Sequence, residues 1–163
     1  VIFISPEHIE RVLEAAEMIV AKEAAMAKAI LAGMPIDVYN HGDMQRDFTY
    51  IDDLVQAIRL LIDAAPRRLE TVPEGDSLSP VAPFRVVNIG NSEPVQLLAF
   101  IEAIEAATGL SAQKNMMPMQ AGDVPATWAE ASLLKSLTGY APQTRFREGV
   151  AKFVAWYRDY YGV

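Results

Sequence analysis

Cysteine is absent from this sequence of 163 residues, and histidine occurs only at His8 and His41. The absence of cysteine excludes disulfide scaffolds, thiol catalysis and iron–sulfur ligation. Two histidines are too few for a multi-histidine metal site. We therefore predict that the chain has no metal site.

Long apolar runs and positive charge are also scarce. No stretch approaches the ~20 apolar residues that span a bilayer, and no basic residues precede the apolar start at Val1, as they would in a signal peptide. Fourteen Lys and Arg residues stand against 21 Asp and Glu residues, which gives a net charge of −7. A net acidic surface repels nucleic-acid phosphates. These features predict a cytoplasmic chain that binds neither membranes nor nucleic acids.

Three sequence motifs of catalysis or cofactor binding are missing. The nine glycines are scattered singly and form no G-x-G-x-x-G turn, no Tyr is followed four residues later by Lys, and there is no G-x-S-x-G. The first of these motifs cradles a dinucleotide pyrophosphate, and the last carries a hydrolase nucleophile. We therefore assign no catalytic residue and no cofactor-binding residue to this chain.

The composition and periodicity that are present predict a globular α/β chain. Hydrophobic residues make up 52% of the sequence, enough for the core of one domain. Apolar residues at helical spacing alternate with short strand candidates at Pro35–Tyr39, Phe48–Ile51 and Phe84–Ile89. Because these strands are few and short, an α+β-like fragment fits better than a full doubly wound sheet.

Capping residues and apolar periodicity together predict the helices. These are a long N-terminal helix from Pro6 to Gly33, one opened by Asp52 and Asp53, one from Leu97 to Gly109, one capped by Thr127 and ended by Gly139, and a last one through Phe146 and Tyr160. The first carries an apolar stripe that another surface must cover, made of Ile9, Val12, Leu13, Ala16, Ile19 and Val20. The prolines of Pro66–Pro83 predict a loop.

The segment Gly42–Asp53 combines a glycine turn, an arginine, aromatic residues and carboxylates. Arg46 stands at a junction of loop and strand, where its guanidinium could hold a phosphate in bidentate fashion. It could equally pair with the carboxylates of Asp47, Asp52 or Asp53, and the residues alone leave both interpretations open. Asp52 and Asp53 are expected to cap a helix rather than to act as acid and base, because they stand where the helix begins.

A second polar loop runs from Pro118 to Pro125. Gly122 allows close approach of the backbone to a ligand, and Asp123 could accept hydrogen bonds from sugar hydroxyls. The alternative is an ordinary loop that leads to the helix cap at Thr127. Met116, Met117 and Met119 are expected to fill gaps in the core.

These two loops and the strands around them resemble one family. The segments Asp37–Asp53, Val87–Asn91, Pro118–Thr127 and Phe153–Tyr157 resemble, in this order, the NAD-dependent nucleotide-sugar epimerases of the extended short-chain dehydrogenase/reductase family. Their UDP-glucuronate 4-epimerase branch is the most similar. The resemblance runs from Met26 to the end of the chain.

The resemblance implies that residues 26–163 are the C-terminal, nucleotide-sugar substrate-binding domain, and that residues 1–25 are a divergent N-terminal helical segment. The family binds NAD with a glycine-rich turn and reacts through a Tyr/Lys pair, both in a Rossmann half that this sequence lacks. Its reaction moves a hydride from sugar C4 to NAD and returns it to the other face of the rotated keto sugar.

Five substrate-binding residues follow from the resemblance by position. Arg46 would contact the UDP pyrophosphate, the backbone around Asp37 and Tyr39 would meet the uracil, and Asp123 would hydrogen-bond the ribose, with Gln120 beside it. Many relatives have an arginine where Met119 and Gln120 stand, so anion binding here depends more heavily on Arg46.

The expected function is therefore UDP-sugar binding by a part of a UDP-glucuronate 4-epimerase-like enzyme that is inactive alone. The alternatives are a fragment of a nucleotide-sugar dehydratase or decarboxylase, and a non-catalytic interaction domain with a vestigial pocket. The expected partners are a weakly bound UDP-sugar, the Rossmann domain and a second copy of the chain, met through an exposed apolar face.

Overall fold

The computed structural model describes residues 25–67 and 69–163, which divide into two compact units. The helical unit comprises residues 47–67, 69–93 and 128–144, and the sheet unit comprises residues 25–46, 94–127 and 145–163. The apolar stripe predicted between Ile9 and Val20 lies outside the described residues. The boundary predicted at residue 25 stays a prediction.

The sheet unit alternates helices with short strands. Its elements are α1 (25–31), β1 (Ile36–Val38), a 3-10 turn (Tyr39–Gly42), β2 (Gln45–Asp47), β3 (Pro94–Gln96), α3 (Leu97–Thr108), β4 (Lys114–Met116), β5 (Ala126–Thr127) and α5 (Phe146–Tyr161). Strand β1 pairs in parallel with β4, with Ile36 opposite Lys114. A second sheet has the order β3-β2-β5, and β2 and β5 run parallel with Arg46 opposite Thr127.

The core of the sheet unit lies between α3 and α5. The side chains buried there are Phe100, Ile101, Ile104, Val150, Val154 and Tyr157. Helix α3 ends where predicted, because Gly109 takes a left-handed φ of 74° and its N–H donates to the Glu105 carbonyl at 2.8 Å. The Arg158 guanidinium donates to the Thr108 carbonyl at 2.7 Å, which ties α5 to the end of α3.

The helical unit contains α2 (Ile51–Asp63) and α4 (Ser132–Thr138), which pack on each other. Ala57 and Leu134 are fully buried in this unit. The described part of the chain from Ala64 to Glu93 has no helix or strand, as predicted for Pro66–Pro83. An ion pair between Arg85 Nε and Asp76 Oδ1 at 2.8 Å closes this segment into a local loop.

Two of the predicted strands are wrong. Phe48, Thr49 and Tyr50 form coil, Ile51 begins α2, and the strand precedes them at β2. Phe84–Ile89 pairs with no strand, because the N–H and the carbonyl of Val86 both bond the Ser77 hydroxyl of the same loop. Strand β1 is confirmed within the predicted Pro35–Tyr39.

The predicted capping box at Thr127 is also wrong. Thr127 lies in β5, where pairing with β2 keeps the chain extended. Helix α4 begins at Ser132, whose N–H donates to the Glu130 carboxylate at 2.8 Å, and it ends at Gly139 as predicted. The prediction of a methionine core fails too, since Met116 and Met119 are exposed.

Candidate functional site

Two segments of the sheet unit, 36–46 and 113–127, lie side by side and carry all five predicted site residues. At one end, the Met117 N–H donates to the Val38 carbonyl at 2.9 Å and the His41 N–H donates to the Met117 carbonyl at 3.0 Å. At the other end, the Gln45 N–H donates to the Pro125 carbonyl at 2.8 Å. The polar loop between β4 and β5 is therefore fastened at both ends to the segment that contains Arg46.

The Arg46 guanidinium bonds main-chain carbonyls rather than carboxylates. Its Nη1 donates to the carbonyls of Gln45 at 2.7 Å and Pro125 at 3.3 Å, and its Nη2 donates to the carbonyl of Val124 at 3.0 Å. Among the described residues no carboxylate forms an ion pair with Arg46, so the open alternative of pairing with Asp47, Asp52 or Asp53 is wrong. Because the acceptors are neutral, the positive charge of Arg46 is not neutralised.

The unused donors of Arg46 suit a bidentate anion. A guanidinium has five N–H groups, two on each Nη and one on Nε. Within residues 25–67 and 69–163, both Nη1 donors and one Nη2 donor are used by carbonyls. The Nε–H and one Nη2–H remain, which is the number that a phosphate contacts in a paired fork.

Gln120 and Asp123 form the turn next to the Arg46 contacts. The Asp123 N–H donates to the Gln120 carbonyl at 3.2 Å, and Gly122 between them has a φ of 89°, a conformation that favours glycine. Both predicted side chains are exposed. Asp123 immediately precedes Val124, whose carbonyl bonds Arg46. The structure therefore brings the predicted site residues Gln120 and Asp123 close to Arg46.

Asp37 and Tyr39 lie at the opposite end of the segment pair. The Asp37 Oδ1 accepts a hydrogen bond from Asn115 Nδ2 at 2.8 Å, across the β1–β4 pair. Tyr39 opens the 3-10 turn and is half-buried. The turn continues through Asn40 and His41, both with positive φ. The described contacts do not join Asp37 or Tyr39 directly to Arg46.

In the helical unit, Asp47 has a structural role that the sequence did not reveal. Its carboxylate accepts hydrogen bonds from the N–H groups of Asn91 at 3.2 Å, Ser92 at 3.0 Å and Ala129 at 3.2 Å. One side chain thus holds the turn at Gly90 against the segment before α4. The only local signal was its place beside Arg46, which favoured an ion pair.

Asp53 does not cap its own helix, which corrects the prediction for Asp52 and Asp53, since no side chain caps α2. The Asp53 carboxylate accepts hydrogen bonds from the Tyr140 hydroxyl at 2.6 Å and from the Thr144 N–H at 2.8 Å. Burial raises the pKa of Asp53, but the hydrogen bonds from Tyr140, Thr144 and Gln143 outweigh burial and hold the pKa below its usual value. Burial and the neighbouring Asp53 raise the pKa of Tyr140 to about 12.

The helical unit also has a shallow hollow of about 270 Å³. It is lined by Gly90, Asn91, Ser92, Glu130, Ala131, Ser132, Lys135, Ala141 and Pro142. That volume is at the small end for a ligand pocket, and none of the five predicted site residues lines it.

The described ranges contain neither a candidate metal site nor a candidate membrane span. No group of three or more His, Asp or Glu side chains there could hold a metal ion. In the same part of the chain, no helix has the length and apolar character needed to cross a bilayer.

Comparison with known sequences gives one family. Residues 16–72 match the NAD dependent epimerase/dehydratase family. The chain is 52% identical over 136 residues to a probable UDP-glucuronate 4-epimerase of Rhizobium meliloti (strain 1021), covering 82% of this chain and 40% of that protein. The chain spans about two fifths of the length of the curated relatives it matches.

Solved structures agree with the sequence relatives. A UDP-glucuronic acid 4-epimerase from Bacillus cereus, in complex with UDP-glucuronic acid and NAD, is 28% identical with a TM-score of 0.65, covering 83% of this chain and 39% of that one. MoeE5, in complex with UDP-glucuronic acid and NAD, is 27% identical with a TM-score of 0.66, covering 83% of this chain and 40% of its own. The predicted fold class and family resemblance are confirmed, and these relatives bind NAD as expected.

Proposed function

Because the resemblance to the NAD-dependent nucleotide-sugar epimerases is confirmed over 83% of the chain, we propose that residues 26–163 bind the UDP part of a UDP-sugar. The enzyme that this segment serves is of the UDP-glucuronate 4-epimerase kind, in the cytoplasm. The observation that carries the proposal is the Arg46 guanidinium, which, among the residues that the structure describes, pairs with no carboxylate and leaves two donors unused.

The five site residues take distinct roles in this proposal. Arg46 contacts the pyrophosphate through its Nε–H and remaining Nη2–H, and Asp123 accepts a hydrogen bond from the ribose, with Gln120 beside it. The backbone at Asp37 and Tyr39 meets the uracil. In a chain of net charge −7, a half-buried guanidinium with donors left for an anion is a specific feature, because the net field of the chain repels anions.

The contribution of this segment to the reaction is the positioning of the substrate. NAD supplies the hydride chemistry when it is bound, and the protein supplies orientation and electrostatics. The sequence has no glycine-rich turn for the NAD pyrophosphate, so we assign no NAD ligand to this chain.

UDP titration followed by amide NMR shifts tests the proposal. We expect a dissociation constant between about 0.1 and 10 mM, because a charge-assisted contact contributes roughly 1.5–3 kcal/mol and few others accompany it. The shifts should fall on Asp37, Tyr39, Arg46 and Asp123. Arg46→Ala should abolish these shifts and leave the far-ultraviolet circular dichroism unchanged.

Arg147→Ala is the matched control for this titration. Arg147 belongs to the same unit and is exposed, and its Nη2 lies 3.8 Å from the Glu102 Oε2. Arg147→Ala therefore removes one positive charge that is not part of the loop. Arg147→Ala should bind UDP like the unaltered chain. If both variants lost UDP binding equally, the effect would come from net charge and not from Arg46. The absence of amide shifts in the unaltered chain would refute UDP binding.

We also expect no epimerase turnover when the chain is supplied with NAD and UDP-glucuronate. The reason is the absence of the glycine-rich turn and of a Tyr followed four residues later by Lys. Product can be measured by chromatography of the UDP-sugars at high protein concentration. Turnover that persists after repurification and scales with this chain would contradict the prediction.

Self-association is a further part of the proposal. Helix α5 exposes Trp156, Tyr160 and Tyr161, and the rings of Trp156 and Tyr160 stack with centroids 5.3 Å apart. Contiguous exposed apolar patches find partners in water. Light scattering at micromolar concentration should give the mass of a dimer or larger, and Tyr160→Lys should lower it. A monomer for the unaltered chain would contradict this prediction.

A further inference from the structure

The segment 118–124 has little to hold it in place. Its residues are exposed, and the one hydrogen bond described within it joins the Asp123 N–H to the Gln120 carbonyl. Over the described residues, no side chain of this segment takes part in a hydrogen bond or ion pair. An exposed segment with so few contacts samples many conformations unless an external group restrains it.

Arg46 is that external group. Its side chain reaches the carbonyls of Val124 and Pro125, at the end of the segment where the Gln120–Asp123 turn begins to rejoin the sheet. The neighbouring main-chain bond, from the Gln45 N–H to the Pro125 carbonyl, fixes only the residue that follows the segment. The Val124 carbonyl, directly after Asp123, is restrained by the guanidinium.

We propose that Arg46 is a positioning residue for the Gln120–Asp123 turn, in addition to any contact that it makes with phosphate. By holding the Val124 carbonyl, Arg46 sets where the Asp123 carboxylate stands for a ribose hydroxyl. The placement of Asp123 for a ribose hydroxyl rests on the proposed function. The restraint of the turn by Arg46 does not.

The chemistry requires arginine in particular. The guanidinium spreads five donors over a rigid plane, so it can satisfy three carbonyls and still present two donors to an anion. A lysine ammonium offers three donors on one atom, and it cannot serve the carbonyls of Gln45, Val124 and Pro125 together with a phosphate. Arg46→Lys therefore keeps a positive charge for a phosphate but no longer holds the turn in position.

Amide ¹⁵N relaxation in the absence of ligand tests the loop directly. In the unaltered chain, the order parameters of residues 119–124 should be near those of rigid backbone, about 0.85, and in Arg46→Ala they should fall below about 0.6. Arg147→Ala should leave them unchanged. Unchanged order parameters in Arg46→Ala would overturn the inference.

Uridine separates positioning from phosphate contact, because uridine has no phosphate for Arg46 to hold. We expect Arg46→Ala and Arg46→Lys each to weaken uridine binding by about threefold to tenfold, where tenfold corresponds to 1.4 kcal/mol. Asp123→Ala alone should also weaken uridine binding. Combined with Arg46→Ala, it should cause little further loss of affinity, because the effects of residues that act together are not additive.

Two further results overturn the inference, and neither is the failure of the proposed function. If uridine binds Arg46→Ala as it binds the unaltered chain while UDP binding falls, Arg46 contacts phosphate only. If the losses in the Arg46→Ala and Asp123→Ala variants simply add, the two residues act independently. By contrast, loss of loop order in Arg46→Ala without any UDP binding supports the positioning role and refutes the proposed function.

Discussion

Gly90→Ala should lower the free energy of unfolding by about 2–4 kcal/mol, because the new methyl group has no space and displacing its neighbours costs both packing and hydrogen bonds. A Cβ at Gly90 would lie 2.5 Å from the Ala129 Cβ and 2.6 Å from the Asp47 Oδ2. The same Oδ2 accepts the N–H groups of Ser92 and Ala129. The methyl group would therefore disrupt the bonds that hold the 90–92 turn.

Urea unfolding in a Trp156→Phe background measures this loss, because Trp128 then reports on the helical unit alone. Gly75→Ala is the matched control: it has no heavy atom within 4 Å of the new Cβ, although its φ is 77°, and it should cost only the backbone strain of about 1–2 kcal/mol. Adding Ala129→Gly to Gly90→Ala should recover part of the loss. A midpoint for Gly90→Ala at or above that of Gly75→Ala would contradict the steric argument.

Asp53→Ala should be about as damaging, at roughly 3–4 kcal/mol, because three part-buried hydrogen bonds lose their shared acceptor. Asp53 is 8% exposed and accepts bonds from Tyr140, Gln143 and Thr144. These partners lie in the segment between α4 and α5, so the substitution releases that segment from the first turn of α2. Asp52→Ala, at an exposed neighbour, is the matched control and should have little effect.

The pair of Asp53 and Tyr140 should make the stability of the fold depend on pH at both the acid and the alkaline end of the range. The pKa of Asp53 is lower in the folded chain than its ordinary 3.8, so its contribution to stability is complete above that pH and is lost as the pH falls through the folded pKa. The pKa of Tyr140 is raised from 10.0 to about 12, so its contribution is complete below pH 10 and is lost as the pH rises towards 12.

Melting temperatures recorded across these two pH ranges test the assignment. Tyr140→Phe should remove the alkaline part of the loss and retain most of the fold, at a cost of about 1 kcal/mol for one hydrogen bond. Asp53→Asn, which has no carboxylate to protonate, should flatten the acid part. Acid and alkaline slopes that match those of the unaltered chain in both variants would show that this pair does not titrate with folding.

Local information sufficed for most of the helical positions. Apolar spacing located α3 and α5, and the left-handed Gly109 and Gly139 confirm the predicted ends of α3 and α4. A helix is built from bonds between residues four apart, so its signals lie within a short window. The absence of cysteine and of a glycine-rich turn, and the resemblance of two polar loops to one family, were likewise readable without coordinates.

The partners of the charged groups depended on the tertiary structure. Asp47 bonds Ala129 across 82 positions and Asp53 bonds Tyr140 across 87, and Arg46 reaches Val124 across 78. No short-range pattern encodes such distant contacts, so adjacency suggested an ion pair for Arg46 and a helix cap for Asp53. Neither arrangement occurs in the fold, because the buried Asp53 carboxylate and the half-buried Arg46 guanidinium bond the donors and acceptors that packing brings to them.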